Sequence, residues 1–134
     1  LGIIPFAFSG VGIAPICLAR SEPPAGTNAV ISGWGTCVTP TTRLQVVRAP
    51  IMSSTSCSSA YAACGGITRS VICAEVGTVA SSGDSGSPLV VNGLLAGIRS
   101  CGVGCAQPGN PGVYANIVYF RSFVASNTGV IDPC

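Results

Sequence analysis

Short apolar stretches broken by glycine, proline and small polar residues recur along the whole chain. Ile3 to Phe8 and Ile13 to Leu18 read as short buried strand pieces, with a Ser9-Gly10 turn between them. Ser21 to Thr27 is a polar, proline-containing loop. Asn28 to Gly35 resumes an apolar, β-branched run, and Arg43 to Ile51 alternates with Leu44 and Val46 facing inward until Pro50 interrupts it. These two runs sit at hairpin-like spacing. Met52 to Gly66, rich in Ser, Ala and Cys, predicts one helical turn followed by a cystine-bound loop. Val71 to Ala74 and Ser87 to Val91 are short strands, and Asn92-Gly93 is a strong hairpin turn into Leu94 to Ser100. After a loop over Pro108 to Pro111, Gly112 to Ile117 reads as a strand. Tyr119 to Ser126 then carries Phe120, Phe123 and Val124 at helical spacing. Many short strands with one late helix predict an all-β fold, a small antiparallel barrel, and neither an internal repeat nor a linker divides residues 1–134.

Composition agrees and narrows the setting. With 48% hydrophobic and 7% charged residues, 18 Gly and 10 Pro, the chain is neither a disordered polymer nor a helical bundle. Net charge is +2, and Arg20, Arg43, Arg48, Arg69, Arg99 and Arg121 are scattered singly. That spacing forms no basic patch for nucleic acid and reads as ordinary surface solvation. Eight cysteines in 134 residues point to an oxidising compartment, hence to a secreted, extracellular protein. A metal site is not expected, because there is no C-x-x-C pair, no histidine and only four carboxylates. The first apolar run is interrupted by Pro5, Gly10, Gly12 and Pro15, so it is neither an intact signal peptide nor a membrane span. Beginning inside an apolar run, the chain reads as a fragment or a processed part of a longer protein.

One stretch looks built for covalent chemistry: Ser81-Ser-Gly-Asp-Ser85-Gly-Ser-Pro-Leu-Val90. A serine hydroxyl is a poor nucleophile near neutral pH and needs a base to take its proton, most often an imidazole. The chain has no histidine. It therefore carries at most half of a catalytic machine. An α/β-hydrolase elbow does not fit, because Ser87 stands where G-x-S-x-G needs its last glycine.

Taken together, Pro15-Ile-Cys-Leu18, Ile31-Ser-Gly-Trp-Gly35, Leu44-Gln-Val-Val47, Ser56-Cys57, Val71-Ile-Cys-Ala74, Gly83-Asp-Ser-Gly86, Pro88-Leu89, Gly97-Ile98 and Pro111-Gly-Val-Tyr114 resemble the chymotrypsin-like (trypsin-type) serine proteases. The resemblance covers nearly the whole chain and is to the second, C-terminal β-barrel of that fold. It implies an antiparallel Greek-key β-barrel with a short C-terminal helix, the N-terminal barrel being absent from these residues. By resemblance Ser85 is the nucleophile, and the backbone amides of Gly83 and Ser85 form the oxyanion hole. Asp84 matches the carboxylate that pairs with the new α-amino group after zymogen cleavage. The triad's histidine and aspartate belong upstream of Leu1, and neither Asp132 nor Glu22 replaces the aspartate. No cofactor is implied.

Several positions depart from the family pattern. Val79, six residues before Ser85, stands where trypsins have the aspartate at the floor of the specificity pocket. Gly102 and Gly112 match small wall positions, while Ser82, Ser100 and Cys101 complete the substrate-binding set, Cys101 replacing a usual tryptophan. Val79, Gly102 and Gly112 imply a preference for apolar over basic side chains, while Arg99 and Cys101 either reshape that pocket or block it. Cys57 and Cys73 resemble a loop-closing disulfide. Ser81 replaces the usual partner of Cys105, leaving Cys101 as its nearby candidate; Cys17, with Cys134 or an absent partner, and Cys37 and Cys64 stay open. The expected function is a secreted serine endopeptidase acting through an acyl-enzyme on Ser85, with this chain alone inactive. Its partners would be protein or peptide substrates, the missing barrel and protein inhibitors, with no nucleic acid or membrane. The alternative is a non-catalytic protease homologue acting as a binding module, for which Arg99, Cys101 and Ser81 speak.

Overall fold

The computed structural model describes residues 10–35, 41–58, 61, 66–75, 84–101 and 110–129. Among the described residues, six strands and two helices follow in the order β1 (Asn28–Gly33), β2 (Gln45–Pro50), α1 (Ser54–Ser58), β3 (Val71–Ala74), β4 (Pro88–Val91), β5 (Leu94–Cys101), β6 (Gly112–Asn116) and α2 (Ile117–Thr128). The strands form one antiparallel sheet in the order β2-β1-β4-β5-β6-β3. Such a sheet has two edges with unpaired backbone groups. Here the edges meet. Ile51, just past β2, bridges Ala74 at the end of β3, the amide of Met52 donates to the Cys73 carbonyl (2.8 Å), and that of Glu75 donates to the Pro50 carbonyl (3.0 Å). The sheet thus curls and closes on itself at this end, as the barrel expectation required.

The barrel is filled by a cluster that includes Ala29, Ile31, Ala49, Ile51, Leu89 and Tyr114. Packing is tight enough to exclude a methyl group at Gly97, where an added Cβ would lie 2.9 Å from Tyr114 Cβ and 3.1 Å from Leu89 Cδ2. A second cluster, Cys57, Tyr61, Cys73 and Val113, lies under α1. Its Cys57–Cys73 disulfide matches the pairing implied by resemblance. Cys17 and Cys101 are disulfide-bonded as well.

The hairpin at Asn92-Gly93 forms as its sequence requires. Both residues take positive φ, +50° and +78°, and Val91 pairs with Leu94 across the turn. The terminal helix is longer than its aromatic spacing suggests. Asn116 ends β6 and caps α2, its side chain accepting from the amides of Val118 (3.0 Å) and Tyr119 (3.4 Å). Ile117 is therefore the first helical residue rather than the last of a strand. Gly129, at φ +63°, closes the far end.

Three expectations are corrected. Ile13 to Leu18 is not a buried strand: Ile13 and Ile16 are exposed, and only its end reaches the sheet, through a Leu18–Leu95 bridge. Pro15 lacks the amide that continued pairing needs. In β2 the inward face is the other one, with Leu44 and Val46 exposed and Val47 and Ala49 turned to the core. The pairing of Ala29 with Ala49 and Ile31 with Val47 sets this, since a one-residue shift exchanges the faces of a strand. Finally, the arginines are not all solvated. Arg99 is buried, and half-buried Arg121 donates through Nη1 to the carbonyls of Leu18 (3.1 Å) and Ala19 (3.2 Å). The strand read over Ile3 to Phe8 lies outside the described residues.

The Cys57–Cys73 cystine closes a loop with a sequence separation of 16 residues beside the barrel seam. Replacing both cysteines by alanine is expected to lower stability by about 3 kcal/mol, read as a fall in the midpoint of thermal unfolding. An unchanged midpoint would show that the clasp contributes nothing.

Candidate active site

Ser85 stands on a four-residue turn, Asp84 to Ser87, leading into β4. The amide of Ser87 donates to the Asp84 carbonyl (2.9 Å), and Gly86, third in the turn, has φ +89°. A turn with positive φ at that place needs glycine, which is what the Asp-Ser-Gly sequence supplies. The turn is tied to β5 on its far side: the Gly86 amide donates to the Arg99 carbonyl and the Arg99 amide to the Ser87 carbonyl, each at 2.9 Å. Ser85 itself is exposed. A side chain on a turn fixed at both ends has little freedom except at χ1, the arrangement a nucleophile needs.

Asp84 is held from the opposite side. Its Oδ1 accepts from the Gly35 amide at 3.1 Å. The carboxylate fits there because Gly33 has no side chain, for a Cβ at that position would lie 2.3 Å from Oδ1. The Gly33-Trp34-Gly35 segment thus serves as a socket for the residue preceding Ser85. The same segment, with Leu44, Ser85 and Pro88, lines an open groove of about 510 Å³ beside the turn. Trp34 and Leu44 are both more than half exposed along it.

On the β5 side, the strands bulge between Arg99 and Cys101: Arg99 pairs with Tyr114 and Cys101 with Val113, so Ser100 is the extra residue. A bulge of this kind turns neighbouring side chains. Ser100 is exposed, whereas Arg99 is only 8% exposed. The guanidinium passes over Gly112, where a Cβ would lie 2.7 Å from Nη1, and that nitrogen donates to the Tyr114 hydroxyl at 3.3 Å. Arg99 Cζ lies 5.8 Å from the centroid of the Tyr114 ring. Burial pushes the Tyr114 phenol above its usual pKa, while the positive charge and hydrogen bond of Arg99 pull the other way. Behind Gly112, the hydroxyl of buried Tyr61 donates to the Pro111 carbonyl and anchors the start of β6.

Of the site residues read from sequence, Ser85, Asp84, Ser100, Cys101 and Gly112 lie around the junction of this turn with β5 and β6. Val79, Ser82, Gly83, Gly102 and Cys105 lie outside the described residues. Tyr61 and Tyr114 were missed, and Arg99, noted in sequence as a departure favouring a binding module, was not expected to be buried against Tyr114. An arginine between Ile98 and Ser100 in an otherwise apolar strand was the available signal for Arg99.

A family model described as trypsin matches residues 7–124. The chain belongs to the trypsin family. It is 42% identical over 120 residues to trypsin-2 of Salmo salar, covering 85% of this chain and 51% of that protein. Serine protease 1 of Rattus norvegicus is 44% identical over 119 residues, covering 84% of this chain and 48% of its own length. Among solved structures, mouse brain neuropsin, a serine protease, superposes with a TM-score of 0.71 at 32% identity, covering 88% of this chain and 55% of that one. The chain thus spans about half the length of these trypsin-family relatives.

Gly33→Ala tests the socket. The new Cβ is expected to expel the Asp84 carboxylate, so that the Gly35 amide loses its acceptor and exchanges its hydrogen faster, with about 1–3 kcal/mol lost from stability. Unchanged Gly35 protection in hydrogen-exchange NMR would contradict this geometry.

Proposed function

We propose that this chain is the C-terminal barrel of a secreted serine endopeptidase. The reading rests on one observation: Ser85, in a trypsin-family chain, is exposed on a tight turn braced by main-chain hydrogen bonds to β5. In this reading the Ser85 Oγ attacks the carbonyl carbon of a peptide bond, and its proton passes to an imidazole contributed by an N-terminal barrel. An aspartate of that barrel orients the imidazole. The amides of Gly83 and Ser85 receive the oxyanion, each donor of this kind contributing about 3 kcal/mol in the transition state. As the carbon–nitrogen bond breaks, the imidazolium returns the proton to the leaving amine and Ser85 carries the acyl ester. Water, deprotonated by the same imidazole, then releases the acid and restores the serine hydroxyl.

The division of labour follows from composition. With no histidine in its 134 residues, this barrel supplies the nucleophile and the oxyanion donors but no general base. Asp84 is the carboxylate that would take the α-amino group released by activation, and it already sits in the Gly33–Gly35 socket. Proteins or peptides are the substrates, and protein inhibitors that occupy the same cleft are further partners. Secretion is supported by the disulfides at Cys17, Cys57, Cys73 and Cys101. Among the described residues no helix is long and apolar enough to cross a membrane.

The full-length, activated protein is expected to digest casein and to react with a fluorophosphonate at Ser85, both lost in Ser85→Ala. Residues 1–134 alone are expected to react on the order of 10⁶-fold more slowly, since the base is missing. Rapid labelling of the isolated chain would refute the division between barrels. Failure of the full-length protein to label or to digest would instead favour the non-catalytic homologue.

A further inference from the structure

Arg99 is the one arginine in the described residues whose burial exceeds nine-tenths, and the described residues around it use little of its side chain. A guanidinium has five N–H donors in a planar fork. Among the described residues this one makes a single side-chain hydrogen bond, from Nη1 to the Tyr114 hydroxyl, and lies against that ring. No carboxylate among the described residues forms an ion pair with it. The carboxylate on the nucleophile turn, Asp84, is turned to the Gly35 amide instead. A buried cation with most of its donors unanswered is costly unless an anion or another acceptor reaches it.

Its position says what kind of anion. The main chain of Arg99 is hydrogen-bonded to Gly86 and Ser87, the two residues directly after Ser85. Strand geometry then puts the Arg99 Cα within about 10 Å of the Ser85 Cα. Gly112, by lacking a Cβ, leaves the guanidinium room in the wall formed by β6. A polypeptide lying across Ser85 would lie against the strand that carries this fork, and the group that matches it in charge, planarity and two-point geometry is a carboxylate.

We infer that Arg99 receives the carboxylate of a substrate Asp or Glu that flanks the bond attacked by Ser85. The inference rests on the endopeptidase reading above and gives that enzyme a substrate class: acidic sites. It replaces the apolar preference implied by Gly102 and Gly112, because the space at Gly112 holds a guanidinium and is not an open apolar pocket.

The test uses the full-length, activated protein and peptides identical except for Glu or Gln on either side of the scissile bond. The kcat/KM for the best Glu peptide is expected to exceed that of its Gln twin by at least about tenfold, since a site built for a specific polar partner rejects its isostere. Arg99→Val should bring the ratio close to unity, and Arg99→Lys should retain part of it. The ratio is taken within each protein, so a change in overall activity does not enter. Equal rates for Glu and Gln, preferred cleavage at apolar residues, or a ratio unaffected by Arg99→Val would each overturn the inference. The wild-type ratio decides alone where a variant does not fold. Casein digestion and fluorophosphonate labelling separate the two levels: an enzyme that digests and labels but ignores acidic residues loses only this inference, while a protein that does neither loses the endopeptidase reading with it.

Discussion

Every backbone amide and carbonyl on the rim of a sheet needs a partner, and the way this chain meets that demand governs the rest of it. The outer strands β2 and β3 are joined by the hydrogen bonds of Met52 to Cys73 and Glu75 to Pro50. Joining them bends the intervening strands into a wall around Ile31, Leu89 and Tyr114. The Cys57–Cys73 cystine lies at the same seam, one of its halves being the residue whose carbonyl accepts from Met52. Because β4 and β5 are central in the strand order, the turn carrying Ser85 is supported by pairing on both sides of its strand.

That turn begins with an acidic residue and is braced on its far side by a basic one. Asp84 reaches back to the main chain at Gly35, and Arg99 reaches across Gly112 to Tyr114. Tyr114 feels both, its phenol pKa being raised mainly by burial, lowered in part by the charge and hydrogen bond of Arg99, and raised a little further by the field of Asp84. In each case glycine makes the approach feasible: Gly33 admits the carboxylate and Gly112 the guanidinium. Small residues here act as molds for charged neighbours.

The parts of the fold that were legible in sequence are those whose signal is local. Asn92-Gly93 specifies its own turn through the positive φ both residues tolerate, and Gly86 does the same beside Ser85. The strands β3 and β6 could be read because their apolar runs are bounded by turn residues. What failed depended on partners far away in the chain. The inward face of β2 is set by its register with β1, which no feature of residues 45–50 reveals. The capping role of Asn116 was hidden within an apparent strand, although its side chain also donates to Glu22 Oε1 (2.9 Å) and to the Arg69 carbonyl (3.0 Å). Arg99 was read as solvated because composition counts charges without knowing which face of a strand carries them. At the site, Ser85 and Asp84 were found through a motif with chemistry of its own, whereas Arg99 and Tyr114 acquire meaning only when β5 and β6 are laid side by side.

Position 99 holds the nucleophile turn entirely through its amide and carbonyl, which any residue other than proline possesses. Its side chain contributes nothing to that bracing. Backbone bracing and side-chain identity are consequently decoupled at this point of the strand, so a lineage can exchange the side chain at position 99 by a single codon while inheriting the turn that carries Ser85 unaltered. Variation and constancy are thereby assigned to different atoms of the same residue.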